Sequence, residues 1–138
     1  GPDGRTVWKA PDSAGTTAVS PQAAFLVTDI LAGNTDKKQN PIWSAKLALY
    51  NGPGGSRRPA AVKTGTASDA RDLATYGFLA PGAGSYPSLA VGIWMGNSDH
   101  SNPKTKDPAI SLTAAAPLWP AFVRDYTAGW PITQFQGP

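Results

Sequence analysis

Residues 58 to 72 read Arg58-Pro59-Ala60-Ala61-Val62-Lys63-Thr64-Gly65-Thr66-Ala67-Ser68-Asp69-Ala70-Arg71-Asp72, and both fold and chemistry turn on that stretch. Side chains alternate along a strand, so Ala60 to Thr66 is expected to place Val62, Thr64 and Thr66 on one face and Lys63 and Gly65 on the other. A cation, two hydroxyls and a glycine on one strand suit recognition of a carboxylate. Hydroxyl and amide donors point at the anion, and Gly65 permits close backbone approach. A polar edge strand is the plain alternative, and four residues alone do not decide between the two.

Working outward, Leu73 to Leu79 predicts a second strand, with Tyr76 and Phe78 alternating against Gly77. Pro81 to Pro87 supplies a turn, and Leu89 to Met95 a third strand. That strand carries Leu89, Val91, Ile93 and Met95 on one face and small Ala90 and Gly92 on the other, against which something must pack closely. On the N-terminal side, Ser20 is an N-cap and Pro21 a first helical residue. Ala23, Leu26, Val27, Ile30 and Leu31 recur at helical spacing and Gly33 closes the segment, so a helix is expected over 21 to 32. Asn34 to Pro41 reads as a polar loop, and Trp43 to Tyr50 as a short apolar segment whose type the pattern leaves open, ended by Gly52-Pro53-Gly54-Gly55. Thr113 to Tyr126 carries Leu118, Trp119, Phe122, Val123 and Tyr126 at helical spacing, with Pro117 and Pro120 implying an irregular first half. The order of helix, three neighbouring strands and helix predicts an α+β fold, an antiparallel sheet covered by helices on one face. Residues 1–19, with Pro11 and Gly15, form a lead-in connector, and residues 131–138 a tail.

Composition bounds the classes. The 138 residues suffice for one domain, and 41% hydrophobic against 15% charged residues argues for a packed segment rather than a disordered one. The 15 glycines and 14 prolines, scattered without a repeat, imply many turns and exclude collagen and solenoids. There is no cysteine, which removes disulfides, thiolate metal sites and a cysteine nucleophile. No stretch approaches the roughly twenty apolar residues of a membrane helix, so any anchor would lie outside this piece. Gly1-Pro2 is either a cleavage scar or native turn chemistry. Net charge is only +3, and the basic pairs Lys37-Lys38 and Arg57-Arg58 lie in polar or Gly/Pro-rich stretches. Both pairs are expected to be solvated loops, and nucleic acid is not an expected partner.

Lys-Thr-Gly is a signature element of penicillin-binding proteins and class A β-lactamases. Here it sits in Arg58-Pro-Ala-Ala-Val-Lys-Thr-Gly-Thr-Ala-Ser-Asp-Ala-Arg-Asp72, followed by Tyr76-Gly77-Phe78 and Ala90-Val-Gly-Ile-Trp-Met-Gly-Asn97. With the Ser20-Pro21-Gln22 helix start and the closing Ala116-Pro117-Leu118-Trp119, the succession resembles the bifunctional, class A type of penicillin-binding protein over roughly residues 20–130. The resemblance implies the C-terminal part of a transpeptidase domain with a serine β-lactamase-like fold. It implies a parent that cross-links peptidoglycan by serine acyl transfer and is acylated by β-lactams at the extracytoplasmic face of the bacterial cell membrane. Lys63 would help to hold the field and proton network around the nucleophile. Thr64 and Thr66 would bind the carboxylate of a D-Ala-D-Ala stem peptide or a β-lactam, and the Thr66 N–H would complete the oxyanion hole. Gly65 would leave room for the acyl donor. No cofactor is implied.

The departures matter as much. The family needs a Ser-x-x-Lys nucleophile and a Ser-x-Asn element, both ahead of Lys-Thr-Gly. No Ser-x-Asn occurs in this sequence. Ser101-Asn102-Pro103-Lys104 matches Ser-x-x-Lys only formally: Pro103 biases Asn102 away from helix, and the segment follows Lys-Thr-Gly. The chain alone is therefore expected to be inactive, with the serine on an upstream segment or a companion polypeptide; failing that, swapped or paired copies would fill the gap. The rival from another class is a noncatalytic cell-wall peptide-binding module, and a weaker one a structural interaction domain.

Other candidates are thin. His100 is the single histidine, and Asp99 beside it with Ser98 and Ser101 supplies triad ingredients that adjacent residues rarely assemble. With no Glu and one His, a metal site is not expected. A P-loop needs glycine where Val62 stands. The five tryptophans, Trp8, Trp43, Trp94, Trp119 and Trp130, are expected to pack core and helices.

Overall fold

The computed structural model describes residues 2–9, 15–103 and 110–138; Pro11 and Lys104, used in the sequence reading, lie outside them. Along the described chain run α1 (Pro21–Gly33), α2 (Pro41–Leu47), β1 (Leu49–Tyr50), β2 (Arg57–Arg58), β3 (Ala60–Thr66), β4 (Asp72–Leu79), β5 (Ala90–Gly96) and α3 (Ala115–Tyr126). The fold is α+β. β3, β4 and β5 form an antiparallel sheet in that order, and β1 pairs with β2 in a second, smaller antiparallel sheet.

Local chemistry sets the helix starts. The Ser20 side chain accepts from the Ala23 N–H at 3.2 Å with Pro21 behind it, and Asn40 does the same for Trp43 N–H at 3.3 Å ahead of Pro41. The apolar segment that the pattern left open is thus a helix, α2, followed by a two-residue strand. That strand turns through Gly54 and Gly55, both at positive φ, to pair Leu49 with Arg58 and Tyr50 with Arg57. α3 begins two residues later than the apolar spacing suggests and keeps Pro120 inside it.

One face of the sheet carries the core. Val62, Ala60 and Leu79 pack with Leu47, Leu49, Ala116, Trp119 and Val123, all buried. Gly77 is opposite Val62 on β3 and Val91 on β5. A methyl group on Gly77 would stand 2.7 Å from the Trp119 ring, so the glycine is what lets α3 approach. The Trp119 indole N–H donates to the Val91 carbonyl at 3.1 Å, which satisfies the buried donor.

The expectation of helices on one face only is corrected. α1 packs on β3 across the other face, where Ala61 is fully buried and where Pro21 and Phe25 share a groove with Phe78 and Ala90. Ala60, Ala61 and Val62 are all buried, the continuous apolar run of a strand covered on both sides. Farther along that face the cover ends, and Lys63, Gly65, Tyr76, Gly92 and Trp94 are exposed. The Tyr76 ring lies on Gly92, close enough that a methyl group there would be 2.7 Å from it, so the small face of β5 has the neighbour it requires.

Burial departs from the helical pattern. Leu26, Val27 and Ile30 of α1 and Leu118, Phe122 and Tyr126 of α3 are exposed, Ile30 by 70%. Trp119 is buried and Trp43 and Trp130 half-buried, but Trp8 and Trp94 are exposed, against the expectation that all five pack inside. Lys37 and Lys38 are solvated, whereas Arg58 is not a loop residue in water. It is 3% exposed, and its guanidinium donates to Asn51 Oδ1 at 2.9 Å and to the carbonyls of Pro131 and Trp130 at 2.7 and 2.8 Å. Burial lowers its pKa, and the fork pins the chain after α3 to β2.

Candidate functional site

β3 is an edge strand, so half of its backbone groups face away from β4. The Ala67 N–H donates to the Asp72 carbonyl at 2.9 Å, which fixes the phase of the ladder. Residues 61, 63 and 65 bond to β4, and the N–H and C=O groups of residues 60, 62, 64 and 66 point to the open edge. Three of those carbonyls are occupied. Ala60 O accepts from Thr35 Oγ1 at 3.0 Å, Val62 O from Asn34 Nδ2 at 2.8 Å, and Thr64 O from Lys63 Nζ at 2.6 Å. The turn that ends α1 therefore caps the first half of the edge and stops at Val62. By the same alternation the Thr66 N–H points outward beyond it.

The side chains differ in access. Lys63 is exposed, and its ammonium lies over the uncapped edge. Among the described residues a methyl group on Gly65 would meet no atom within 4 Å, so open space adjoins the strand there. Thr64 is buried, and its hydroxyl accepts from the Trp43 indole N–H at 3.3 Å. Thr66 is exposed as a residue, yet its hydroxyl is engaged from behind: it accepts from the Ser111 N–H at 3.0 Å and donates to Ser111 Oγ at 2.9 Å. The structure thus brings Lys63, Thr64, Gly65 and Thr66 to one edge while dividing their access, Lys63 and Gly65 toward the open face and the two hydroxyls toward the core. Opposite Thr64 in the ladder, Thr75 is fully buried, and among the described residues its hydroxyl has no partner.

Sequence reasoning missed Asn34, Trp43 and Ser111. Asn40-Pro41 repeats the Ser20-Pro21 start signal and would have put Trp43 on a helix. Ser111 carries no local signal, because its importance comes from a contact 45 residues away in the chain.

The remaining candidates do not assemble. Asp99 accepts from Ser101 Oγ at 2.7 Å and from the Ser101 N–H at 3.0 Å, which holds its carboxyl below the ordinary range. It is thus turned toward Ser101, and His100 is exposed at φ 58°. Ser101 to Pro103 has no regular structure, and Lys104 lies outside the described residues. Among the described residues no group of three or more acidic or histidine side chains could hold a metal ion, and no helix is long and apolar enough to cross a membrane. What the edge can do is bind an anion or polarise a carbonyl, with a cation, an outward N–H and free space side by side. The chain matches no protein-family profile, no curated protein and no solved structure.

Proposed function

We propose that this chain is one wall of the active site of a serine D,D-transpeptidase, the C-terminal part of a penicillin-binding domain whose nucleophile comes from other sequence. One observation carries the reading. The edge of β3 is capped by Asn34 and Thr35 as far as Val62; beyond it, among the described residues, only the Lys63 ammonium covers the edge, at the Thr64 carbonyl, and there Lys63, the space beside Gly65 and the Thr66 N–H meet. In the reaction the serine oxygen of the missing half attacks the penultimate D-Ala carbonyl of a stem peptide. The oxyanion that forms accepts from the Thr66 N–H, D-Ala leaves with the returned proton, and the acyl group passes to an amine of a neighbouring strand. Lys63 contributes positive potential to the proton network and to the substrate carboxylate. Thr66 lines the carboxylate end, and Thr64, buried with its hydroxyl on the Trp43 indole N–H, supports the strand from behind. The exposed apolar residues of α1 and the open side of the sheet with Tyr76 and Trp94 support a companion half docking there. The parent acts at the extracytoplasmic face of a bacterial membrane, anchored by sequence outside this chain.

Incubating the full-length protein with fluorescent penicillin tests the reading. Covalent label on the segment upstream of this chain, and none on residues 1–138, is the expected result. Saturable but reversible binding identifies a peptide-binding module instead, and no binding at all refutes both.

A further inference from the structure

Ser111 is 1% exposed and lies just before α3, far from the Lys-Thr-Gly strand in sequence. Its hydroxyl sits at the Gly65 and Ala74 rung of the β3–β4 ladder, accepting from the Ala74 N–H at 3.1 Å and donating to the Gly65 carbonyl. It also accepts from Thr66 Oγ1 at 2.9 Å, while its own N–H donates to Thr66 Oγ1 at 3.0 Å. A serine hydroxyl has one proton and two lone pairs, so all three are used. Thr66 Oγ1 has accepted one bond and given its proton, and keeps a single lone pair. In this state Thr66 cannot donate to a carboxylate.

We propose that Ser111 is a positioning residue that holds the Thr66 hydroxyl in reserve as a hydrogen-bond donor and yields it to the carboxylate of an incoming acyl donor. This rests on the transpeptidase reading above. When the carboxylate arrives, rotation about the Thr66 C–O bond turns the Thr66 O–H from Ser111 Oγ toward the anion. The Ser111 N–H stays on Thr66 Oγ1 throughout, which fixes the oxygen and strengthens its proton as a donor. Ser111 Oγ keeps its bonds to Gly65 and Ala74, so the ladder beside the oxyanion donor holds its shape. No bond to carbon changes, and the proton stays on Thr66.

The test compares acylation of the full-length protein by a β-lactam bearing the free carboxylate and by its methyl ester. Wild type is expected to prefer the acid. In Ser111→Ala the competing acceptor is gone while the N–H of residue 111 still holds the Thr66 oxygen, so the preference for the acid is expected to rise about fivefold with the ester rate little changed, the size of a neutral hydrogen bond that no longer has to be broken. Thr66→Val should instead lose the preference, and the double variant should match Thr66→Val alone. If Ser111→Ala does not fold, Ser111→Cys, whose sulfur is a weaker acceptor of similar volume, is expected to show the same selective rise in smaller measure. A fall in the preference in Ser111→Ala, an equal change for acid and ester, or a Ser111→Ala effect that persists beside Thr66→Val overturns the proposal and leaves the transpeptidase reading standing. Wild type that neither probe acylates overturns both.

Discussion

Lys63 is exposed and holds only the carbonyl next to it, so its removal touches function far more than folding. Lys63→Ala is expected to slow penicillin acylation of the full-length protein by roughly a hundredfold or more while stability moves by no more than about 0.5 kcal/mol. Stopped-flow acylation and a urea melt measure the two separately. Two buried residues carry opposite predictions. The Thr75 hydroxyl is buried without a partner among the described residues, and Thr75→Val keeps the shape while deleting the orphan, so stability should rise by about 1 kcal/mol. A lower urea midpoint would mean that the hydroxyl is satisfied after all. Arg58 feeds three acceptors through a planar fork that an ammonium cannot reproduce. Arg58→Lys is expected to cost about 2 kcal/mol in the same assay, and an unchanged midpoint would show that the fork is idle.

Among elements, β3, β4 and β5 were legible because alternation and turn residues agree, and β3 has the bounds that its residues suggest. α1 was legible from its cap. α2 was not, because seven residues are too few for periodicity to declare itself, although Asn40-Pro41 marks its start. The second helical cover of the sheet was missed for another reason: Ala61 is too small to signal burial until α1 lies on it. At the site, the four residues of the strand were legible as a string, but the division of their access was not. It follows from Trp43 and Ser111, contacts that only the folded chain brings about. The close approach of α3 to β4 depends on the missing side chain of Gly77. Gly77→Ala would put a methyl group 2.7 Å from the Trp119 ring and 2.9 Å from Val62, and should destabilise by about 1–3 kcal/mol despite the better strand propensity of alanine. A stabilised variant would mean that α3 can shift away without penalty.

For the whole molecule, the sheet is covered on one face by α3 and on the other only in part by α1. The uncovered part holds Lys63, Gly65, Tyr76 and Trp94, and Leu26, Val27 and Ile30 of α1 are exposed as well. An edge strand with a cation and an outward N–H, adjoining apolar surface without cover, is half of a cleft under the proposed function. The other half has to bring a serine to within bonding distance of a carbonyl seated at the Thr66 N–H. The most direct test is a crystal structure of the full-length protein after reaction with penicillin. The account predicts an acyl-serine on the upstream segment. Its carbonyl oxygen should lie about 3 Å from the Thr66 N–H, and the drug carboxylate should lie beside Lys63 with the Thr66 hydroxyl turned toward it. An acyl group elsewhere, with the edge of β3 at residues 64–66 sealed against the protein's own chain, would contradict it.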